Sequence, residues 1–446
     1  MRKALSWAVS AKLFARLRCH GNTRWSAPAL VSLATLWVWS DQATLSGAFA
    51  QARDAAERML GSAALTTYPG LTAALRTWSA VLVPLLARAL RRRMRQVARG
   101  SWRIGRWLVL AIDGTRISVP RTASNEKAFA APHFGRGKTA RSGRSRKHRR
   151  RRSKPLGEPV RPQLWLTLLW HVGLRLPWQW KSGPSTDHER GHFQDLLHTE
   201  KFAKNTLFCG DAGFVGFELW QAIQTAGHAF VIRVGANVRL LRGLGRLCDG
   251  LVCCWPGHAE RDGQPPLVLR LVTLQGPRSL IYLVTNVLEE RDLADAQVCA
   301  LYRQRWGVEV QLRALKQTFC RRTLRSRSAA NARIELDWSL VGLWLVQLLA
   351  VKEQLRLGQP PQRSSVALAL TVIREMLRRG REPVPAATLW RERLGQAQVD
   401  NYPRRGSKRA RYRRKYKDRP STKPPRLIPA NARQRAAFRN LQHQAA

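Results

Sequence analysis

The stretch Leu301–Cys320 reads LYRQRWGVEVQLRALKQTFC and holds the most informative pattern in the sequence. At 3.6 residues per turn, four polar residues fall on one helix face about 60° wide: Tyr302, Arg305, Glu309 and Lys316. The neighbouring face is apolar, with Leu301, Val308, Leu312, Leu315 and Phe319. The spacing predicts a long helix over 293–319 that buries one stripe and presents a carboxylate beside three potential phosphate-binding side chains.

The same spacing has a second interpretation. Arg305 and Glu309 are four residues apart, which is the separation of an ordinary ion pair on a solvent-exposed helix face. In that case the carboxylate is a surface partner of the arginine and has no ligand of its own. The spacing alone favours neither interpretation.

Two short apolar runs each end at an aspartate: WLVLAID over 107–113 and NTLFCGD over 205–211. Such a run is typical of a buried strand with a polar residue at its carboxyl end. Asp113 and Asp211 are therefore candidate ligands for a divalent cation, which prefers carboxylate oxygens. Because a glycine follows each aspartate closely, a turn in which the side chain bonds to the backbone is the alternative.

Strands and helices alternate between these runs and the long helix. The predicted strands are 163–173 and 229–235, and the predicted helices are 188–198 and 218–226. A Gly-rich stretch with strand-like runs, 236–286, predicts a β-rich insertion. The alternation predicts an α/β fold, preceded by an α-helical N-terminal region.

The composition favours a polyanionic partner. The chain has 446 residues, with 78 Lys and Arg against 28 Asp and Glu, and a net charge of +50 at pH 7. A hydrophobic share of 44% is enough for packed cores, which excludes a wholly disordered basic protein. Charge of this size favours nucleic acid as the partner. Two basic segments, 136–155 and 402–426, are predicted to be disordered.

No membrane partner is predicted. The apolar stretch 338–351 has about 14 residues, fewer than the ~20 that a spanning helix needs. The seven Cys are scattered and odd in number, which is typical of reduced thiols. The start of the sequence has no convincing secretory signal. These features predict a cytoplasmic, nucleoid-associated protein.

The segment Asp187-His188-Glu189, followed by His192, contains residue types that bind metals. His188 and His192 are four residues apart on the predicted helix 188–198, and this pattern favours a solvated helix face over a metal site. We predict no catalytic role for these residues.

Several short motifs follow one another between about residues 107 and 320. They are Asp113-Gly114-Thr115, Ser124-Asn125, Phe134-Gly135, Gly210-Asp211-Ala212-Gly213-Phe214, Phe230-Val231-Ile232-Arg233, Val284-Thr285-Asn286 and Leu301-Tyr302-Arg303-Gln304-Arg305-Trp306. This series resembles the DDE transposases of the insertion-sequence-4 family, whose signature has the same Tyr, Arg, Glu and Lys spacing. The resemblance implies a ribonuclease-H-like catalytic core with a β-rich insertion.

The resemblance implies a metal-binding catalytic triad: Asp113, Asp211 and Glu309. The triad would hold Mg²⁺, with Mn²⁺ as an alternative ion. The implied reaction is cut-and-paste transposition, in which water cleaves the element end and the freed 3′-hydroxyl then attacks target DNA. Two other functions stay open: a catalytically inactive or host-adopted DNA-binding protein, and a ribonuclease-H-like nuclease without strand transfer.

The resemblance also implies contacts to DNA. Tyr302, Arg305 and Lys316 would hold phosphates near the reacting end. Trp306 is similar to the aromatic residue that supports flipped DNA in hairpin-forming relatives, and an anchor between the helix and the protein body is an equal alternative. The expected partners are double-stranded DNA, as terminal inverted repeats and as target, and a second copy of the chain in a homodimer.

The predicted organisation has four parts. They are a helical DNA-binding region over 1–100, a catalytic domain over 101–330, a C-terminal helical region over 331–400 and a basic tail over 401–446. The catalytic domain includes the basic loop 136–155 and the insertion 236–286.

Overall fold

Ten strands form one mixed sheet in the computed structural model, which describes residues 2–17, 23, 25–61, 65–129, 161–244, 251–276, 280–378, 387–399 and 423–445. The strands are β1 (Leu108–Ser118), β2 (Gln163–His171), β3 (Leu176–Pro184), β4 (Thr206–Gly210), β5 (Ala229–Val234), β6 (Arg239–Arg242), β7 (Val252–Cys254), β8 (Leu267–Gln275), β9 (Leu280–Thr285) and β10 (Arg426–Pro429). Their order across the sheet is β10-β6-β7-β8-β9-β5-β4-β1-β2-β3. The predicted basic loop 136–155 lies outside the described residues.

Helices flank this sheet and form a separate helical layer. They are α1 (Arg2–Ala8), α2 (Ala27–Trp39), α3 (Leu45–Leu60), α4 (Tyr68–Val97), α5 (Ala123–Phe129), α6 (Glu189–Thr199), α7 (Phe217–Thr225), α8 (Gly257–Arg261), α9 (Asp295–Gln317), α10 (Ala329–Arg356), α11 (Val366–Arg378), α12 (Ala387–Gly395) and α13 (Ala432–Ala445). Several begin at a residue whose hydroxyl accepts a hydrogen bond from a backbone N–H group, which is the preferred N-cap chemistry: Ser26, Thr44, Thr67 and Ser328.

The centre of the sheet combines parallel and antiparallel pairs. β4 lies between β1 and β5 and is parallel to both. On the far side of β1, the strands β1, β2 and β3 form an antiparallel meander, while β5 pairs antiparallel with β9. Because parallel strands need a long connection, α7 joins β4 to β5. The predicted α/β class is confirmed as a mixed α/β fold.

β1 is longer than the sequence predicts. The apolar run ends at Asp113, but the strand continues to Ser118. The reason is its second neighbour, since the parallel pairs with β4 end at Ala111 opposite Cys209 while the antiparallel pairs with β2 continue to Ser118 opposite Gln163. Asp113 therefore lies inside a strand, just beyond the last pair that this strand makes with β4.

α10 is the central helix of the helical layer. It contacts α2, α4, α11 and α12, and the indole groups of Trp338 and Trp344 donate to Ser79 Oγ (2.8 Å) and Met94 Sδ (3.2 Å) of α4. By length and composition alone, α4 and α10 could each cross a membrane, but 94% of the apolar window of α10 is buried inside the protein. Its apolar residues therefore pack against other helices, as in a core helix.

The two predicted helical regions contact each other. The indole N–H of Trp39 in α2 donates to the carbonyl of Gly342 in α10 at 2.9 Å. Arg374 of α11 donates to the carbonyl of Trp39 at 3.0 Å. Helices from both ends of the chain thus share one core, and the predicted domain boundaries at residues 100, 330 and 400 stay predictions.

The end of the predicted basic tail is folded. Arg426–Pro429 forms β10, which pairs in parallel with β6 at the edge of the sheet, and α13 follows directly. The N–H group of Ala430 donates to the carbonyl of Arg242 at 2.9 Å. A basic segment can pair in this way because an edge strand needs only backbone groups for its hydrogen bonds. The predicted disorder is therefore wrong at Arg426, and residues 402–422 lie outside the described part of the chain.

His171, at the end of β2, is a buried neutral base. Its side chain is 1% exposed, its Nδ1 accepts a hydrogen bond from the Leu174 N–H group (3.0 Å), and its ring lies against Trp102 and Trp178. Burial lowers the pKa of His171 from 6.5 to about 4. Between these values the unfolded chain binds a proton that the folded chain excludes. The contribution of His171 to stability is therefore complete above about pH 6.5 and falls as the pH drops toward about 4.

Lowering the pH from about 7.5 to about 5 should reduce the free energy of unfolding by about 2 kcal/mol through His171 alone. Urea unfolding at both pH values measures this loss. In His171→Asn the side chain still accepts the Leu174 hydrogen bond but has no charge to gain, so part of the pH dependence should disappear. His198→Asn, at an exposed position of α6, controls for the removal of a histidine elsewhere in the protein. Equal pH dependence in His171→Asn and the wild type would contradict this account.

Candidate active site

Asp113 lies where β1 extends beyond its parallel neighbour β4. One of its carboxylate oxygens accepts the N–H group of Gly114 at 2.9 Å. Burial raises the pKa of Asp113 to about 7, the positive charge of Arg305 counteracts this, and the negative charges of Asp211 and Glu309 raise the pKa further. The carboxyl of Asp113 is therefore within electrostatic range of both other predicted acids.

Asp211 follows the last residue of β4. Its Oδ1 accepts the N–H group of Gly213 at 2.8 Å and caps a short 3-10 turn over Ala212–Phe214. The side-chain bond to the backbone, predicted as an alternative, is thus confirmed for Asp211. This bond uses one lone pair of the carboxylate, so acceptor capacity is left for another ligand.

Glu309 and Arg305 lie on α9, whose predicted helical range is confirmed to within two residues at each end. The Nη2 of Arg305 donates to Glu309 Oε1 at 2.6 Å, so the predicted ion pair is present. The predicted exposed face is wrong, because Arg305 is only 7% exposed. Its Nε and Nη1 atoms are buried without a hydrogen-bond partner. Arg305 is thus a buried cation with unused donors among the acids of the site.

Tyr302 and Lys316 lie on the same helix as this ion pair. The Tyr302 ring lies 5.5 Å from the Arg305 guanidinium, and its hydroxyl accepts a hydrogen bond from Arg233. Burial raises the pKa of Tyr302. The Nζ of Lys316 donates to the hydroxyl of Thr115 in β1, and burial lowers the pKa of this ammonium group. The Lys316 contact joins α9 to β1, the strand that carries Asp113, and the Tyr302 contact joins α9 to β5.

Trp306 does not join this group. Its side chain is 53% exposed, so the predicted alternative of an anchor between the helix and the body is wrong. The anchoring contact lies at the next residue, since a Cβ atom on Gly307 would collide with the ring of Trp170 in β2. Exposure leaves the Trp306 side chain available to another molecule.

The predicted solvated face at the start of α6 is correct for His188, which is exposed, and wrong for His192. His192 is 2% exposed rather than solvated, and its two ring nitrogens lie 3.1 Å from Thr167 Oγ1 and 3.0 Å from Asp187 Oδ2. Glu189 is half-buried, and its carboxyl is within electrostatic range of Asp211. One signal of this approach is present in the sequence, since a glycine follows closely after each aspartate and lets a second group come near the backbone.

The donor chemistry of the site fits a divalent cation. Carboxylate oxygens are the ligands that Mg²⁺ and Mn²⁺ prefer, and Asp113, Asp211 and Glu309 supply them from three separate elements. In the part of the chain that the structure describes, no three His, Cys, Asp or Glu side chains are drawn together as a finished metal centre. Glu309 instead forms an ion pair with Arg305, whose positive charge offsets part of the negative charge of these acids.

Known proteins similar to this chain are transposases. A family model described as the transposase DDE domain matches residues 173–345, a range that includes Asp211 and Glu309 and begins after Asp113. The chain is 26% identical over 312 residues, or 67% of its length, to the transposase InsG for insertion sequence element IS4 of Escherichia coli strain K12. Both matches support a DDE transposase of the insertion-sequence-4 family. The match spans 65% of the length of InsG, which is less than two thirds.

A solved structure is also similar to this chain. It is a chain of the piggyBac transposase synaptic complex with hairpin DNA, determined by cryo-electron microscopy. The alignment covers 90% of this chain and 82% of the other, with 13% sequence identity and a TM-score of 0.36. At this TM-score the likeness does not assign the fold.

Proposed function

We propose that the protein is a DNA transposase that cleaves DNA at the ends of its element in a metal-dependent reaction and joins the freed ends to target DNA, by a cut-and-paste route. The observation that supports this most is electrostatic. The pKa of Asp113 responds to the charges of Asp211, Glu309 and Arg305, although these residues come from two other segments of the chain, the end of β4 and α9. Acids that act on one another in this way are the donor set that phosphodiester cleavage with divalent ions requires.

The proposed catalytic core is ribonuclease-H-like and consists of β3-β2-β1-β4-β5 with its helices. Its support is the arrangement of these strands, since an antiparallel meander on one side of β1 continues into parallel strands on the other. The strands β6 to β9 are then the β-rich insertion before α9.

In this proposal Asp113, Asp211 and Glu309 hold Mg²⁺ or Mn²⁺. The bound ions supply the Lewis acidity that generates the attacking oxygen and stabilises the leaving oxygen. Arg305 and Lys316 hold the scissile phosphate and orient it by charge-assisted hydrogen bonds. The unused Nε and Nη1 donors of Arg305 support that role.

Double-stranded DNA is the proposed partner, both as terminal inverted repeats and as target. The net charge of +50 supports it, because phosphate neutralisation dominates the affinity of proteins for DNA. A homodimer is proposed because transposition pairs two element ends, and each copy then serves one end.

DNA affinity should fall steeply as the salt concentration rises. A protein that makes about 6 to 10 phosphate contacts loses about 10³- to 10⁵-fold in affinity between about 50 mM and about 200 mM salt. Fluorescence anisotropy with a labelled duplex, titrated at several KCl concentrations, measures this slope. Affinity that does not change with salt would contradict electrostatic binding to the phosphate backbone.

The function is tested with the full-length protein, Mg²⁺, and a plasmid carrying the DNA that flanks its own coding region. We expect strand-specific cleavage at the element ends, followed by joining to a supercoiled target plasmid. DNA binding without cleavage would favour the inactive or host-adopted DNA-binding protein. Cleavage without joining would favour a nuclease, and either result would contradict the proposal.

A further inference from the structure

We propose that Glu189, the first residue of α6, is a fourth carboxylate of the candidate active site and takes part in holding its divalent cations. This inference rests on the proposed function and extends it to a residue outside the predicted triad. It depends on where the carboxylate lies, on how α6 is held in place and on the charge of the site.

The carboxylate of Glu189 lies between the two aspartates of the site. Its Oε2 is 2.7 Å from the position that a Cβ atom on Gly114 would take, next to Asp113. Its Oε1 would collide with a Cβ atom on Gly213, whose N–H group bonds to Asp211. The two oxygens of one carboxylate therefore approach the backbone beside each aspartate. Glycine at both positions leaves the space that this approach needs.

Buried polar contacts fix the start of α6 against the sheet. His192, one turn further along the helix, contacts Thr167 of β2 and Asp187 through its two ring nitrogens. Thr167 is the register partner of Gly114 in the pairing of β1 with β2. The Nδ1 of His188 accepts the N–H group of Gly191 at 2.8 Å and caps the helix. The position of Glu189 beside Asp113 is thus set by packing within the fold.

The charge of the site favours a cation beside Glu189. Burial raises the pKa of Glu189, and the negative charge of Asp211 raises it further. An acidic residue in the first turn of an exposed helix is ordinarily stabilised by the helix dipole and by water. Glu189 differs, because it is half-buried and lies near another acid, Asp211. Arg305 acts on Glu189, Asp113 and Asp211, so one guanidinium is shared by several acids.

Arg305 is the second observation that indicates a ligand here. It is more than nine-tenths buried, and two of its three guanidinium nitrogens have no hydrogen-bond partner. Buried donors without partners are uncommon in native proteins, and a bound ligand is one of the explanations for them. A DNA phosphate would accept hydrogen bonds from these donors. Divalent cations would then add to the positive charge that Arg305, Arg190 and Lys316 now place near the acids of the site.

The test measures Mn²⁺ binding to the full-length protein. Binding is monitored by electron paramagnetic resonance, as the loss of the signal from free Mn²⁺. Glu189→Gln removes the charge and keeps the shape. Glu189→Asp keeps the charge and withdraws the carboxylate by one methylene group. Both variants should bind Mn²⁺ about tenfold or more weakly than the wild type. Asp195→Asn, an exposed acid on the same helix, is the matched control and should bind as the wild type.

Asp113→Asn separates this inference from the proposed function. If Asp113→Asn weakens Mn²⁺ binding while Glu189→Gln binds as the wild type, the role of Glu189 is overturned and the proposed function stands. If Glu189→Asp binds as the wild type, Glu189 acts only through its charge, which also overturns direct participation. If the wild type binds no Mn²⁺, or Asp113→Asn binds it equally well, both proposals are contradicted. Far-ultraviolet circular dichroism checks the folding of each variant, and Glu189→Asp decides should Glu189→Gln fail to fold.

Discussion

Replacing Asp113 by Asn is expected to lower the rate of element-end cleavage by about 10³-fold or more, equivalent to about 4 kcal/mol of transition-state stabilisation. The amide oxygen of Asn can still accept the N–H group of Gly114, so the local strand geometry is kept. What is lost is the negative charge that a divalent cation requires from its ligand. The initial rate of strand cleavage in Mg²⁺, measured on end-containing DNA, gives the size of the effect.

Two comparisons make this result specific. DNA affinity at fixed salt should stay within about twofold of the wild type, because phosphate contacts supply most of the affinity. Asp195→Asn should cleave at the wild-type rate, since Asp195 is an exposed acid paired with Lys181 on the surface. A cleavage rate for Asp113→Asn equal to that of this control would remove Asp113 from the proposed triad.

The sequence predicted the helix α9 and the ion pair on it, because both follow from local spacing. Periodicity places Arg305 and Glu309 on one face but says nothing of what covers that face. β1, β4 and α6 bring the other acids toward this face, and these elements lie about 100 residues or more away along the chain. Burial of Arg305 is thus a property of the tertiary fold, which spacing within one helix does not contain.

The errors at β1 and at α6 have a related cause. An apolar run marks the part of a strand that is covered on both faces, and the run in β1 ends at Asp113. The strand itself continues to Ser118, because its pairing with β2 continues to that residue. The i,i+4 spacing of His188 and His192 on the predicted helix favours a solvated face for His192. Its actual partners, Thr167 and Asp187, satisfy both ring nitrogens inside the protein. A polar residue can be buried wherever the fold provides its hydrogen-bond partners, and the sequence does not show which residues those partners are.

The sequence does not predict β10, because the residues before it in the chain are basic and rich in proline. A strand of four residues at a sheet edge needs a partner more than it needs a hydrophobic pattern. Leu427 lies opposite Leu240 of β6, and this pairing joins residues that are far apart in the chain. Charge composition describes the average of a segment, so it missed a short folded part within a basic stretch.

Replacing Glu335 by Ala is expected to reduce the free energy of unfolding by about 3 to 5 kcal/mol. Glu335 is 0% exposed, and its Oε2 accepts the N–H groups of Arg325 and Ser326 at 3.0 and 2.9 Å and the hydroxyl of Ser326 at 2.7 Å. Its Oε1 lies 3.6 Å from the Nε of Arg321, which is also buried. Removing this carboxylate leaves the buried cation Arg321 without its counter-charge. The buried N–H group of Ser326 and the part-buried N–H group of Arg325 also lose their acceptor. Urea unfolding at neutral pH measures the loss.

The exposed pair of Arg53 and Asp54 supplies the control, because Asp54→Ala removes a surface ion pair of 3.1 Å and should cost less than about 1 kcal/mol. A second variant identifies which lost contact matters. If the uncompensated charge of Arg321 causes most of the loss, then adding Arg321→Met to Glu335→Ala should restore stability, since an apolar side chain needs no counter-charge. If the unpaired N–H groups cause it, the second substitution restores nothing. A loss no larger than that of Asp54→Ala would contradict both explanations, because it would mean that water reaches this carboxylate in solution.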